Sequence, residues 1–415
     1  MGETKTLTIG APKERLDGER RVAITPQVVA GYAKAGFRVL VESGAGESAG
    51  FTDAAYTEKG AEIATRDQVL DADVLAVVRV LDDDPQSPER DRIKPGQVII
   101  GTARPLAAPE IVTAVAEKGG VLFPLELLPR TTRAQSMDVL SSQANIAGYK
   151  AVILAAGALA KMTPMLTTAA GTIAPARVFV LGAGVAGLSA IATARRLGAV
   201  VDAYDVRSAV KEEVQSLGAK FVEYDLDTGQ EGEGSGAYAT ALTDAQIAKQ
   251  RELMTKTLAG IDVVITTAQV QGAKAPVLVT KEMVAAMHPG SVIVDLAADQ
   301  GGNVEGSKPG ETVEVGGVTI IGTSNVPASV AHDSSLTFAK NIANFVALIV
   351  KDGVVDPKVD DDIVRETITT ADGQVVHARL RDILGLEPLA VPEPVEEPEA
   401  EAPAEAVSTE TTNPS

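Results

Sequence analysis

The glycine-rich segment between residues 177 and 207 constrains the fold of this chain more than any other feature. It contains the apolar run Val178–Leu181, which predicts a strand buried on both faces of a parallel sheet. The sequence Gly-Ala-Gly-Val-Ala-Gly follows directly at 182–187 and leads into a helical pattern that ends at Gly198. A second predicted strand, Val200–Tyr204, completes a strand–helix–strand unit, which is typical of α/β proteins.

Each glycine of this loop has a physical role in binding a dinucleotide. Gly182 permits a tight turn off the strand, Gly184 lets backbone N–H groups approach a pyrophosphate, and Gly187 lets the helix pack close to the strand. The first helical turn, with Val185 and Ala186, offers unpaired N–H groups and the positive end of the helix dipole to phosphates. We therefore expect the loop to bind a dinucleotide.

The acidic residue after the second strand predicts which dinucleotide is bound. Asp205 lies 18 residues after Gly187, where a carboxylate can accept both hydroxyls of the adenosine ribose and repel a 2′-phosphate. This favours NAD(H) over NADP(H), with Val206 beside the same ribose. Arg207 is the one neighbour that favours NADP(H), but a solvated charge at a helix start is the interpretation we prefer for it.

Composition bounds the class of protein. At 415 residues, with 45% hydrophobic residues and 38 glycines, the chain suits two α/β domains. It contains no cysteine, and its histidines (His288, His332 and His377) have no metal-ligand spacing, so we expect no metal site. The net charge of −19 argues against a nucleic-acid or anionic-membrane surface. We expect neither a signal peptide nor a membrane-spanning run, and hence a cytoplasmic protein.

The spacing of apolar runs predicts two doubly wound, Rossmann-like parallel sheets joined by long helices, Val139–Met162 and Ser334–Val350. We expect a discontinuous first domain (1–138 plus 331–386) and a nucleotide-binding domain (139–330). The first domain has no glycine fingerprint, so no second dinucleotide is assigned to it. From residue 387 to 415 the chain is rich in Pro, Glu and Ala, which predicts a disordered acidic tail.

Three further segments are candidates for the site. Ala268, Gln269 and the 299–303 turn follow buried strands of the second domain, where ligands bind in parallel sheets, and are expected on the nicotinamide side. The glycine- and acid-rich segment Asp225–Ala241 predicts a functional lid carrying Tyr238, with a solvated insertion as the alternative. The polar residues 129–138 precede the interdomain helix, as cleft residues or as a capped loop.

Several motifs together resemble one enzyme family. These are Glu19–Pro26, Arg133–Tyr149, the glycine loop with Tyr204–Arg207, and Val294–Ala298 before Gly301-Gly302-Asn303. The chain resembles the NAD(H)-binding α1 subunits of the proton-translocating NAD(P) transhydrogenases, a branch of the alanine dehydrogenase family. The resemblance covers about residues 5–386.

The resemblance implies roles for the loop before the interdomain helix. Arg130, Gln135, Asp138 and Ser141 match the set that holds the nicotinamide and its ribose, and Ser136 and Met137 lie among them. Arg130, Gln135 and Asp138 would then be the catalytic residues, with Gln135 where two nucleotides meet. Tyr238 would fold over bound nucleotide.

The resemblance also implies an assembly. It predicts a homodimer that passes hydride directly from NAD(H) to NADP(H) on a partner β subunit. Membrane-spanning α2 and β chains would translocate protons, so this chain would sit at the inner face of the bacterial cytoplasmic membrane without inserting into it.

Two alternatives remain at this point. An alanine dehydrogenase would need a first-domain histidine and lysine, but no histidine precedes His288 and Arg79 stands where the lysine is expected. Arg21 and Asp299 of such a pocket are retained. A regulatory NAD sensor is the other alternative.

Direct hydride transfer requires placement of two rings rather than an acid or base, which suits an Arg–Gln–Asp–Ser set.

Overall fold

A computed structural model of the protein describes residues 6–225, 243–270, 272–351, 354–357 and 360–389. Its strands, in chain order, are β1 (Leu7–Ala11), β2 (Phe37–Glu42), β3 (Glu62–Ala64), β4 (Val74–Arg79), β5 (Val98–Thr102), β6 (Val121–Pro124), β7 (Leu166–Thr168), β8 (Gly171–Ile173), β9 (Arg177–Leu181), β10 (Val200–Tyr204), β11 (Lys220–Phe221), β12 (Val263–Thr266), β13 (Val292–Asp295), β14 (Thr312–Val315), β15 (Val318–Gly322), β16 (Val350–Lys351), β17 (Val354–Val355), β18 (Thr370–Ala371) and β19 (Gln374–Val375).

The α-helices of the same ranges are α1 (Pro26–Lys34), α2 (Asp53–Glu58), α3 (Arg66–Leu70), α4 (Pro109–Glu117), α5 (Val139–Ala158), α6 (Val185–Arg196), α7 (Lys211–Ser216), α8 (Asp244–Leu258), α9 (Lys281–Ala286), α10 (Ala331–Ile349), α11 (Asp362–Thr367) and α12 (Ala378–Ile383).

The first sheet has the strand order β19-β18-β6-β5-β4-β1-β2-β3. Strands β1 to β6 are mutually parallel, whereas β18 is antiparallel to β6. Their apolar side chains are buried because helices cover both faces. The return of the chain at 370–375 adds the last two strands, so the C-terminal part of the described chain completes the first sheet.

The second sheet has the order β11-β10-β9-β12-β13-β15-β14. All neighbours are parallel except the edge pair β14–β15, which is antiparallel. The parallel strands follow the doubly wound order, which reverses direction between β9 and β12, and ligands bind at that switch point in such sheets. The predicted fold class, two α/β domains with parallel-dominated sheets, is confirmed.

Two long helices connect the sheets. The predicted domain boundaries, 138/139 and 330/331, fall at the first residues of α5 and α10, although the division into domains stays a prediction. The predicted helix Val139–Met162 is too long, because α5 ends at Ala158 and Leu159 is already extended. Gly157 in the last turn favours the early end, since glycine has a low helix propensity.

The sequence did not predict the hairpin of β7 and β8, whose residues are all exposed. Among the described helices, none is long and apolar enough to cross a membrane. No group of three or more His, Asp or Glu in the described ranges is arranged to hold a metal ion. The predicted acidic tail lies outside the described residues from position 390 onward.

Candidate functional site

The glycine loop joins β9 to α6 at the switch point of the second sheet. Gly182 has a φ of 97°, which favours glycine. A Cβ on Gly187 would lie 1.9 Å from the carbonyl oxygen of Gly182, so the helix can pack on the loop only without a side chain there. Both glycines are therefore required by the fold itself.

Gly184 differs from both neighbours. It caps α6 with an extended backbone (φ −78°, ψ −168°) that any residue can adopt. A Cβ built on it would meet nothing within 4 Å. The protein thus leaves open space over the first turn of α6, where Val185 and Ala186 present backbone N–H groups. This is the space that a pyrophosphate would need.

Asp205 lies directly after β10, beside the glycine loop. Its carboxylate accepts the N–H of Ala183 at 2.7 Å, which ties the end of β10 to the loop. Burial opposes ionisation of this carboxyl, but hydrogen bonds from Arg207 and Ala183 outweigh it, so the pKa of Asp205 lies below its usual value. A negative charge therefore stands at the predicted ribose position.

Arg207 is not the purely solvated charge that the sequence suggested. Its Nε and Nη2 atoms each donate to one oxygen of Asp205 at 3.0 Å, and its backbone N–H donates at 2.9 Å. The arginine is half exposed, while the Asp205 side chain is only 6% exposed. Val206, between them, is exposed. Ribose hydroxyls would share the carboxylate with Arg207.

The loop after β12 lies across the switch point from the glycine loop. Thr267 Oγ1 donates to the carbonyl of Gly182 at 3.1 Å, which joins the two loops. Ala268 donates its N–H to Asn303 Oδ1 at 3.0 Å and accepts from Asn303 Nδ2 at 2.9 Å. The exposed Gln269 donates to the carbonyl of Leu296 at 2.7 Å. Both predicted residues, Ala268 and Gln269, therefore lie at the carboxyl end of β12.

The 299–303 turn is only partly as predicted. Asn303 is completely buried, so it holds the β12 loop rather than lining a ligand surface. Its own N–H is bound by the buried carboxylate of Asp295 at 3.0 Å. Asp299 is exposed and accepts the N–H of Asn325 at 3.2 Å. The sequence missed Asn303 as a support because the residues of a polar turn do not reveal which of its side chains points inward.

Asp138 begins α5 as its N-cap. Its two carboxylate oxygens accept from Ser141, one from the N–H at 2.9 Å and the other from Oγ at 2.5 Å. The structure thus brings together two of the four residues that the resemblance singles out. Asp138 thereby also caps α5 by accepting a backbone N–H of its first turn. This is the capped loop that the sequence offered as the alternative.

The preceding loop leaves polar side chains free for a ligand. Arg130, Gln135 and Ser136 are exposed, whereas Met137 is 5% exposed and anchors the loop in the first core. The predicted cofactor role therefore suits the first three better than the side chain of Met137. Their binding roles stay predictions.

Helix α5 links this loop to the glycine loop. A Cβ on Gly148 would lie 2.0 Å from the carbonyl oxygen of Ala186, so the two helices touch backbone to backbone there. Asp138 lies ten residues earlier, about 15 Å along the helix. One ligand that reached both loops would have to be extended, as a dinucleotide is. The lid candidate Tyr238 lies outside the described residues.

A buried polar cluster joins the two sheets near the start of α5. Arg21 donates to Glu19 through Nε at 2.8 Å and Nη2 at 2.7 Å, to Gln143 at 2.9 Å, and to Asn325 at 3.2 Å. Burial raises the pKa of the Glu19 carboxyl, but Arg21 and Asn325 outweigh it and lower that pKa to about 2. Arg79 Nε lies 3.8 Å from Glu19 Oε2. The guanidinium of Arg21 is thus paired within the chain.

The fold and the loop define a class: a two-domain α/β protein with a dinucleotide-type loop at the switch point of its second sheet. The model of the alanine dehydrogenase/PNT N-terminal domain matches residues 10–147, and that of the C-terminal domain matches 151–378. The chain belongs to the alanine dehydrogenase/PNT family.

Individual relatives agree with this assignment. The first of the chains that form subunit alpha of the NAD(P) transhydrogenase of Rhodospirillum rubrum is 48% identical over 379 residues, covering 90% of this chain and 99% of the relative. The solved transhydrogenase of Sinorhizobium meliloti is 44% identical, has a TM-score of 0.80, and spans 89% of this chain and 100% of its own. The alanine dehydrogenase of Bacillus subtilis is 31% identical over 390 residues, covering 92% and 96%. The resemblance predicted from the sequence is confirmed, and with it the class of nicotinamide-nucleotide oxidoreductases.

Proposed function

We propose that this chain is the NAD(H)-binding subunit of a proton-translocating NAD(P) transhydrogenase. It would bind NAD(H) in the second domain and pass hydride directly to or from NADP(H) on a partner β subunit. Membrane-spanning α2 and β chains would couple this transfer to proton translocation. The chain would then lie at the inner face of the bacterial cytoplasmic membrane through its partners.

The open space above Gly184 is the observation that carries the nucleotide part of the proposal. Nothing in the protein requires glycine at that position, whereas the approach of a pyrophosphate to the helix N-terminus does. The ionised Asp205 beside the loop supports NAD(H) over NADP(H), since a 2′-phosphate would meet a negative charge.

The loop before α5 supports direct hydride transfer. When bound, NADH supplies the hydride, so the protein needs to orient rings rather than move a proton. Arg130 and Gln135 offer exposed donors to a carboxamide, while Asp138 and Ser141 fix the loop end at the helix start. Tyr238 would cover the nucleotide from the lid segment.

The exposed hairpin supports a homodimer. Met165 is 63% exposed, and Leu166 and Ile173 are each 41% exposed. An isolated two-stranded hairpin is marginally stable in water, and an exposed apolar patch marks a protein–protein contact. The sequence from residue 162 to 176 carries no charge, in a chain of net charge −19. A second copy can meet this uncharged surface without charge repulsion.

Alanine dehydrogenase activity is the second candidate, because the family includes such enzymes and Arg21 and Asp299 are retained. Three observations weigh against it. The first domain offers no histidine before residue 288, and Arg21 is already paired with Glu19. The identity to transhydrogenase subunits is also higher than that to alanine dehydrogenases.

Two assays test the proposal. The purified chain with NADH, pyruvate and ammonia should leave NADH absorbance unchanged. Adding the cognate NADP(H)-binding subunit and NADP⁺ should start NADH oxidation, which is followed by chromatographic separation of NADPH from NADH because the two reduced nucleotides absorb alike. Steady turnover of pyruvate by the chain alone would contradict the proposal. In the complex, Gln135→Ala should slow transfer by on the order of a hundredfold and weaken NADH binding much less. Thr131→Ala, exposed in the same loop, is the matched control and should change neither.

A further inference from the structure

Two asparagines of α10 converge on one carbonyl of the loop before α5. Asn341 Nδ2 donates to the Ser136 carbonyl oxygen at 2.9 Å, and Asn344 Nδ2 donates to the same oxygen at 2.8 Å. Residues three apart on a helix share a face, so both amides reach the loop together. A carbonyl oxygen has two lone pairs, and here both are used.

Asn341 also connects the loop to the helix that follows it. Its Oδ1 accepts from Ser142 Oγ, in the first turn of α5, at 2.7 Å. Asn341 is buried, so its amide is committed to these two contacts. Asn344 is half-buried. Within the described residues, the hydrogen bond of its side chain is the one to the Ser136 carbonyl.

The other end of the loop is held from α11. Arg133 donates to the two carboxylate oxygens of Asp361 at 2.5 and 2.8 Å and also pairs with Asp362. The exposed Gln135 lies between these two attachments. The backbone of the loop is therefore fixed on both sides of Gln135, while the Gln135 side chain itself remains free for a ligand.

We infer that Asn341 and Asn344 are positioning residues for hydride transfer. They act through the Ser136 carbonyl, which sets the place of Gln135 on one side and of Asp138 on the other. This inference rests on the proposed function, since it concerns the same site. Misplacement of a positioning group by about 1 Å can cost on the order of a hundredfold in rate, so two amides on one carbonyl have a catalytic consequence.

Asn344→Asp is the sharpest test. It keeps the shape of the side chain but replaces the N–H donor by an oxygen that repels the Ser136 carbonyl. In the complex with the NADP(H)-binding subunit, we expect hydride transfer to slow at least tenfold, the Kd for NADH to change by less than about twofold, and the Tm to stay within a few degrees. Amide exchange at 135–138 should become faster in the free chain.

Two further variants keep the result interpretable. Asn344→Gln retains an amide donor on a longer stem and should recover part of the lost rate. Lys340→Gln lies on the same helix, is exposed, and should behave as the wild type.

The inference is overturned if Asn344→Asp transfers hydride and exchanges the amides of residues 135–138 at wild-type rates. It is equally overturned if rate, NADH affinity and Tm fall together, since that pattern describes a structural role alone. Absence of NADH binding or transfer in the wild-type complex would overturn the proposed function and this inference with it. NADH binding and hydride transfer of the wild-type complex are therefore measured before any variant is compared.

Discussion

Replacing Gly184 separates the ligand role of the glycine loop from its packing role. The backbone at this position is extended and the Cβ of an alanine would meet no protein atom within 4 Å. Gly184→Ala should therefore leave the fold intact. The free energy of unfolding should change by less than about 1 kcal/mol, because alanine restricts the unfolded chain but is a poorer N-cap residue than glycine.

The same methyl group should weaken nucleotide binding. It would occupy the space over the N-terminus of α6, where a pyrophosphate must approach the backbone. Overpacking of about one methyl group costs roughly 1–3 kcal/mol, which corresponds to about a 5- to 150-fold increase in the Kd for NADH.

Gly187→Ala is the matched control, since its effect should be the reverse. Its Cβ would lie 1.9 Å from the carbonyl oxygen of Gly182, whereas carbon–oxygen contacts ordinarily lie at about 3.3–3.6 Å. The helix or the loop must move by more than an ångström. We expect a loss of roughly 1–3 kcal/mol or more in stability, with nucleotide binding lost as a consequence.

The assay combines chemical unfolding with calorimetric titration of NADH for the wild type and both variants. The predicted pattern is a stable Gly184→Ala protein that binds weakly, beside an unstable Gly187→Ala protein. Gly184→Ala that binds NADH as tightly as the wild type would refute the reasoning, since the open space would then not be the phosphate site. A Gly184→Ala protein that fails to fold would also refute the reasoning, since the added Cβ should meet no protein atom.

Three further outcomes are expected. Asp205→Asn should weaken NADH binding by roughly 1.5–3 kcal/mol and reduce the preference for NADH over NADPH, as titration of both nucleotides would reveal. An unchanged preference for NADH would contradict the role of Asp205 at the ribose. The lowered pKa of Glu19, about 2 against 4.5, implies about 3 kcal/mol of stability that is present above pH 4.5 and lost as the pH falls toward 2. Glu19→Gln, which removes the negative charge beside Arg21, should therefore be less stable than the wild type at pH 7 but closer to it in stability at pH 3. An equal difference in urea midpoints at both pH values would contradict this. In sedimentation experiments, Met165→Glu should be a monomer that still binds NADH. Val354→Glu, at another exposed apolar residue, should remain a dimer.

The sequence predicted the parallel sheets and the glycine loop because their signals are local. Continuous apolar runs such as Val178–Leu181 indicate buried parallel strands. Glycine is required at 182 by its positive φ and at 187 by the close approach of helix and loop. Family resemblance supplied the loop before α5, where no local rule distinguishes a ligand contact from a capped turn. Asp138 illustrates this, since the same carboxylate caps the helix.

The sequence could not predict contacts between distant segments. The pairing of Arg21 with Asn325 and the bonds from Asn344 to Ser136 join residues about 200 to 300 positions apart. Polar side chains on a helix are ordinary surface residues until a partner is placed opposite them. The pairing of Arg207 with Asp205 was missed for another reason, because a neighbour two residues away can point to solvent as readily as to its partner.

The central claim is that hydride passes directly from nucleotide on this chain to nucleotide on its partner. NADH carrying deuterium at the transferred C4 position, incubated with the complete complex and NADP⁺, tests this most directly. The account predicts that mass spectrometry finds the deuterium in NADPH and none in the solvent, because no protein acid or base takes part. Deuterium released to water, with NADPH carrying solvent hydrogen, would contradict it.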